Sequence, residues 1–515
     1  MKQKKSVKTL PHSLTAALLC AVLSTALSLV LFGCSGSSGG KKSGEVQIKW
    51  LTTGDTAAKV IKSDDRIVEA INKKLGIKLS VQVVPENNTE KVNVIMASGD
   101  MPDIVTGAYG TSATQQWIDK GLVIPLNDYF AANPDMKHWD TNIYSWSAIG
   151  GKFYGVPFIT QYEAANRLIL MRQDWLDALH MSYPRTLDEM KTVLTAFTKN
   201  DPDGNGKNDT VGFTAARPDA VAGTTPFDWV FFAFGQKYAD YALDANGNII
   251  PWFEDASFIP GMHYICDLYK SGVVDNEIML NQQPKAEEKL YQGRAGAALL
   301  PLFRHITRHE NNLRQIHPDA SLTYALPPAG PNGDFGLSRQ GKTGFFTCVT
   351  SSCKNPEKAA AFINFMISKE GTDLLRLGIE GIHYTKENGK IVFNEEERAK
   401  DSFSPNGWAH ALAWGSFFWP LESSYLPATD PNAPRALETV ALATKAQKPN
   451  LIKTIPPIEI EKSGVLNDIY IQAFSDMIQN RVSVEDGVKK LSEKWRSQGG
   501  DELLKALNDI YKNSK

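Results

Sequence analysis

Cysteine is scarce: 515 residues hold five. Cys20 and Cys34 fall within or at the end of the first apolar run, which leaves Cys266, Cys348 and Cys353. Three thiols in so large a chain exclude a disulfide framework. Cys348 and Cys353 are close enough in sequence to pair, but "GFFTCVT" (344–350) reads as a buried strand, which favours free thiols. Acidic residues are absent before Glu45, and no apolar run after Phe32 approaches the roughly 18 residues of a membrane span. A basic surplus is also missing, which argues against a nucleic-acid partner, since phosphate binding needs a basic surface. No G-x-S-x-G elbow or H-E-x-x-H motif occurs. A glycosidase's carboxylate pair has no fixed spacing, so sequence neither finds nor excludes one.

What is present begins with a positive start, Lys2, Lys4, Lys5 and Lys8, followed by the apolar run Leu14–Phe32. That is the order of a secretory signal, and also just long enough for an anchor helix. The junction Leu31-Phe32-Gly33-Cys34 resembles the lipobox of bacterial lipoproteins, with Phe32 bulkier than usual. That resemblance implies cleavage before Cys34 and a lipid on its thiol. Residues 34–45 are then a Gly/Ser tether, and "GGKKS" within it lacks the phosphate-loop spacing. Of 55 basic residues, the four early lysines go with the signal, leaving 51 against 57 acidic and a net charge of −6. Removing 33 of 515 residues leaves 482, enough for two large domains.

Along the chain, "VQIKWLTTG" (47–55) and "IKLSVQVVP" (77–85) read as strands around a helix "RIVEAINKKLG" (66–76) that Gly76 ends. "KVNVIMASGDMPDIVTG" (91–107) reads helix, turn, strand. This order predicts an α/β domain with parallel strands, whose ligands sit beyond the carboxyl ends. Thr52, Thr53 and the "TGAYG" loop (106–110) with Tyr109 then border a pocket. "PRTLDEMKTVLTAFTKN" (184–200) carries a capping box, Thr186 with Glu189. "KNPEKAAAFINFMIS" (354–368) has Asn355 as cap and Pro356 in the first turn, and Glu485–Tyr511 reads as helix.

"IMASGDMPDIV" (95–105), "GKFYGVPF" (151–158), "RQDWLDALHMSYPRTLDEM" (172–190), "YQGRAGAALL" (291–300) and "KNPEKAAAFINFMISKEGTDLLRLGIEGIHYT" (354–385) resemble the family 1 extracellular solute-binding proteins of ABC importers. "GIEGIHY" and "EKWRSQGGDELLKALNDIY" (493–511) are similar to the large Gram-positive lipoproteins and alginate-oligosaccharide-binding proteins within it. The resemblance implies a two-lobed, periplasmic-binding-protein-like α/β fold of type II, with a hinge, a ligand cleft and no catalysis. It assigns residues 46–160 and 340–400 to one lobe and 161–339 and 401–515 to the other. It also implies an oligosaccharide ligand, ABC permease partners, a monomer, and a site on the outer face of the cell membrane held by lipid. Gln161 and Tyr162, after "GVPF", fall on the first hinge crossing.

"DPDGNGKNDT" (201–210) sets oxygen donors at alternate positions: Asp201, Asp203, Asn205, the Lys207 carbonyl and Asp209, with Gly206 for the turn. That is the first part of a calcium loop. The twelfth position, a bidentate Glu in a sensor EF-hand, is Gly212. The loop resembles that of the alginate-binding proteins, except that Thr210 stands where they carry an acid; a solvated Asx/Gly turn is the alternative. His305 and His309, with Glu310, have zinc-like i, i+4 spacing but read better as one face of an amphipathic helix. "NGWAHALAWGSFFWP" (406–420) and "TPFDWVFFAFG" (225–235) are rich in rings. Sugars stack their C–H faces on flat rings, which nominates Trp414, Trp419 and Trp229, though most such rings pack cores. Arg304, after the apolar "AALLPLF", is placed to meet hydroxyls or a sugar carboxylate. The reading is a lipid-anchored oligosaccharide-binding subunit of an importer. A cell-surface polysaccharide hydrolase or lyase is the runner-up, with an adhesin or signalling binder that serves no transporter third.

Overall fold

Alternation in "VQIKWLTT" makes β1 (Val46–Thr53), and it pairs in parallel with β2 (Ile77–Val84) along its whole length. A parallel pair needs a crossover, and the helix Arg66–Leu75 supplies it. Asp65 Oδ1 caps that helix, accepting from Ile67 N at 2.9 Å and Val68 N at 3.2 Å, and Gly76 ends it at φ 62°. β3 (Ile104–Ala108) lies parallel on the other side of β1. β4 (Gly155–Pro157) completes the edge, but a strand from far along the chain, β9 (Phe345–Val349), inserts antiparallel between β3 and β4. The sheet order is β2-β1-β3-β9-β4.

A second sheet uses β5 (Arg167–Arg172), β6 (Val211–Ala215), β7 (Ala295–Pro301) and β8 (Leu322–Thr323), in the order β8-β5-β7-β6. β7 runs parallel to β6 and antiparallel to β5. All of β7 is buried, as its run of small and apolar residues requires. The computed structural model describes residues 45–53, 61–62, 64–84, 89–108, 112–130, 148–149, 152–157, 165, 167–217, 226–302, 305–338, 345–403, 410, 412, 433–452 and 456–513.

Each sheet has its own core. Ile48 and Trp50 pack with Ile67, Ile71 and Phe362 on one face of the first sheet. Leu51, Val105, Trp117 and Cys348 fill the other. Gly107 is required there, since a Cβ would stand 2.4 Å from the Trp117 ring. The second core gathers Ala165 to Leu337 and then Ala443 to Leu507, including the helices Pro457–Ile478, Val484–Trp495 and Asp501–Asn513. Together these are the two α/β lobes of a periplasmic-binding-protein-like fold.

Three expectations need correction. Residues 403, 410 and 412, expected in the second lobe, pack into the first: Phe403 and Leu412 belong to its core, and His410 N donates to Leu375 O at 2.6 Å. Asn355 stands at the N-terminus of its helix but its side chain caps nothing. The C-terminal helix is two, broken at Gly499, whose φ is 112°. Cys266, Cys348 and Cys353 are free; burial pushes the Cys348 thiol up to about 12 and the other two to about 11. Among the described residues, no helix is long and apolar enough to cross a membrane.

Candidate functional site

The carboxyl ends of β1, β2 and β3 lie along one edge of the first sheet. Because β9 is antiparallel to β3 and Phe345 pairs with Ala108, β9 begins at this edge, and β4 ends there at Pro157, opposite Phe346. The second sheet has a matching edge: β6 ends at Ala215, β7 ends at Pro301, and β5 begins at Arg167 opposite Pro301. The chain passes from Pro157 on one edge to Arg167 on the other. Ten extended residues reach about 35 Å at most, so this short crossing joins the two edges. Ligands of open α/β sheets bind beyond the carboxyl ends of the strands, at the point where the strand order reverses, which in the first sheet lies between β1 and β3.

Behind the first edge, buried hydroxyls stitch three strands. Trp50 Nε1 donates to Thr106 Oγ1 at 2.9 Å, and Thr106 Oγ1 shares a hydrogen with Thr347 Oγ1 at 2.9 Å. Behind the second edge lies a buried charged network. Thr214 Oγ1 and Asn281 Nδ2 each donate to Asp275 Oδ2 at 2.7 Å, and Lys289 Nζ donates to both Asp275 oxygens at 2.9 and 2.7 Å. Lys289 also reaches Glu277 at 2.7 Å. Burial pushes the Asp275 carboxyl up, but Lys289, Thr214 and Asn281 outweigh it and hold it below the usual range. Sequence reasoning missed this group: only Thr214 signals itself, as a polar residue inside an apolar strand.

Thr53 is the last residue of β1, at the first edge, and Thr52 beside it is buried. Tyr109 follows β3 by one residue, Gln161 and Tyr162 fall on the crossing, and Arg304 follows β7. These four, with Trp414, Trp419 and Cys34, lie outside the described residues. Trp229 is a correction. It is 0% exposed and packs edge-on against Phe213 and Tyr264, with ring centroids 6.1 and 6.3 Å away. A ring with no open face stacks on no sugar; it is core.

The loop from Asp201 is turned by Gly204 at φ 66° and Gly206 at φ 74°. The Asp201 carboxylate accepts from Asn205 N at 3.0 Å and Gly206 N at 2.9 Å. The Asn205 amide donates to Asp203 at 2.8 Å and Asp209 at 3.2 Å, and Lys207 N donates to Asn205 Oδ1 at 2.8 Å. Burial first, and then the neighbouring Asp201 and Asp209, push the Asp203 carboxyl up. The donors are all oxygens, which suits a hard cation. Thr210 contributes nothing to them, because its buried hydroxyl donates to Phe197 O at 2.8 Å. Among the described residues, no group of three His, Cys, Asp or Glu is close enough to hold a metal ion. His309 and Glu310 have structural partners: Tyr291 OH lies 2.7 Å from His309 Nδ1, and Glu310 accepts from Leu322 N at 2.8 Å and Arg435 Nη1 at 3.1 Å.

The family model described as bacterial extracellular solute-binding protein matches residues 57–373, more than half of the chain. The chain belongs to that family. This solute-binding protein is 26% identical over 527 residues to the polygalacturonan/rhamnogalacturonan-binding protein YtcQ of Bacillus subtilis, covering 96% of this chain and 99% of the relative. It is 25% identical over 458 residues to the Bacillus subtilis lipoprotein LipO, covering 87% and 89%. Two solved structures share its fold with a TM-score of 0.68. They are the Streptococcus pneumoniae ABC-transporter substrate-binding protein FusA with kestose, 18% identical over 91% of this chain and 99% of that one, and the alginate-binding protein AlgQ2 without calcium, 22% identical over 91% and 98%. The family is one of binding proteins rather than enzymes, and YtcQ, FusA and AlgQ2 are named as binding proteins.

Proposed function

We propose that this protein captures an oligosaccharide between its two sheet edges and delivers it to the permease of an ABC importer, acting as a monomer held to the outer face of the membrane by a lipid on Cys34. The observation that carries the reading is the pair of carboxyl edges joined by a short crossing, in a chain of the solute-binding family. YtcQ is named for binding polygalacturonan and rhamnogalacturonan, and FusA was solved with kestose; both support a carbohydrate. Thr53, Tyr109, Gln161, Tyr162 and Arg304 adjoin the edges in the chain and supply hydroxyl, amide and guanidinium partners. Trp414 and Trp419 provide stacking faces. The loop of Asp201, Asp203, Asn205, Lys207 and Asp209 would hold a structural calcium ion by drawing its three carboxylates together around it, a role supported by its all-oxygen donors and by the calcium-free form named for AlgQ2.

The test is a thermal-shift series with oligosaccharides of neutral and acidic types. A bound sugar at 100 times its Kd adds about 2.7 kcal/mol. A melt that no oligosaccharide moves overturns the reading. Prolonged incubation returns the sugar intact; a shortened chain would mean a hydrolase or lyase.

A further inference from the structure

Arg217 stands two residues past the end of β6. β6 and β7 run in parallel register with Ala215 beside Leu299, so continuing that register sets Arg217 beside Pro301. Pro301 pairs in turn with Arg167. Arg217, just beyond β6, thus comes level with Pro301 of β7 and Arg167 of β5 at the second edge. Strands lie about 4.8 Å apart, which separates the two arginine backbones by about 10 Å.

The two arginines differ in their surroundings. Arg167 is half-buried, its Nη1 donates to Gln283 Oε1, and Gln283 Nε2 donates to the buried Glu287 at 3.0 Å. The other carboxylates nearby, Asp275 and Glu277, are matched by Lys289. Arg217 is exposed and forms no ion pair with any described residue. Its backbone is nonetheless held: Arg217 N donates to Asn281 O at 2.7 Å. Asn281 is itself fixed by the buried Asp275, Thr214 and the Ala215 carbonyl. The buried network thus fixes the backbone of an exposed arginine that has no ion-pair partner among the described residues, just past the carboxyl end of β6. A guanidinium's fork of donors matches a carboxylate bidentately.

We propose that Arg217 reads a carboxylate on the bound oligosaccharide, so that the cleft takes a uronate-bearing chain. This rests on the oligosaccharide reading above and names the ligand's class. Thr214, Asp275, Asn281 and Lys289 position Arg217 and do not touch the sugar.

The experiment is calorimetric titration of the full chain with galacturonate and mannuronate oligomers, their methyl esters of equal length, and neutral fructooligosaccharides. At least one acid oligomer binds, and its ester binds about 10- to 100-fold more weakly, the loss of one charge-assisted hydrogen bond. Arg217→Gln, exposed and expected to melt as wild type, abolishes the preference for acid over ester, and Arg217→Lys keeps part of it. Acid and ester bound equally, a preference that survives Arg217→Gln, or neutral oligomers bound alone would each overturn the assignment while leaving oligosaccharide capture standing. Binding of no oligosaccharide at all overturns both.

Discussion

Trp229 fills a volume in the second core that no smaller side chain fills, between Phe213 and Tyr264. Trp229→Ala is expected to lower stability by about 3–5 kcal/mol, seen as a large fall in melting temperature, with sugar affinity near wild type at temperatures where the variant is folded. A loss of affinity with unchanged melting would return the ring to the ligand. Asp203 behaves oppositely. Its carboxyl lies above the usual range, so the folded loop holds that proton more tightly than the unfolded chain does. In chelator this favours folding as pH falls through the window between the two values and costs stability above it. Calcium would displace the proton. Asp203→Ala is therefore expected to lower the melting temperature in calcium but not in chelator; identical wild-type melts with and without calcium would leave the loop a plain turn. Cys348 was legible at this scale because it sits in a largely apolar run, beside Val349 and close to Phe345 and Phe346. Trp229 was not, because a ring-rich run has the same composition in a core as at a binding mouth.

Local chemistry made several elements readable. The helix Leu187–Lys199 starts with the capping box seen in its sequence: Glu189 N donates to Thr186 Oγ1 at 3.2 Å, and Thr186 N to Glu189 Oε2 at 3.3 Å. Thr186→Ala should cost about 1 kcal/mol, measured by denaturant unfolding. What no local pattern could announce is how Asp401 and His410 are fastened. His410 Nε2 bonds to Asp65, the cap of a helix 345 residues earlier, and His383 Nε2 bonds to Asp401, both at 2.9 Å. In each ring Nδ1 accepts a backbone N–H, from Leu412 at 3.0 Å and Ile379 at 2.8 Å. Burial, only partly offset by Asp401, holds His383 below its ordinary pKa. Below about pH 6.5 the unfolded chain then takes up a proton that the folded ring refuses, so stability falls with falling pH. Asp401 lies below its ordinary value and gives way only in stronger acid. Wild type should melt progressively lower from pH 7 to pH 5, and His383→Gln should flatten that slope. An equal slope in both would place the titration elsewhere.

At the scale of the molecule, the strand–helix–strand opening announced an α/β lobe, and the resemblance announced a second. The cleft residues themselves were legible only as positions next to strand ends. Which side chains meet across two lobes depends on long-range pairing that spacing does not encode; Arg217 and its network went unseen because Thr214, Asp275, Asn281 and Lys289 meet only once that one lobe has folded. Two lobes joined by a short crossing suit hinge closure, so small-angle scattering should give a smaller radius of gyration with a bound oligosaccharide; an unchanged radius would argue for a preformed, rigid site. If lipid on Cys34 is the anchor, Cys34→Ser should abolish lipid labelling and change membrane retention. Full retention with the apolar run uncut would instead make that run the anchor.

The place of β9 between β3 and β4 also sets an order of events. Export begins at the N-terminus, so β1 to β4 emerge first, with the central gap of their sheet still open. The strand that fills it starts at Phe345 and follows all four strands of the second sheet. Until then β3 offers an unpaired edge, the kind of edge that captures other chains. Contacts this distant in sequence also form slowly. The freshly secreted chain therefore passes through a period of vulnerability outside the cell, and its length is set by how fast residues 109–344 arrive and fold.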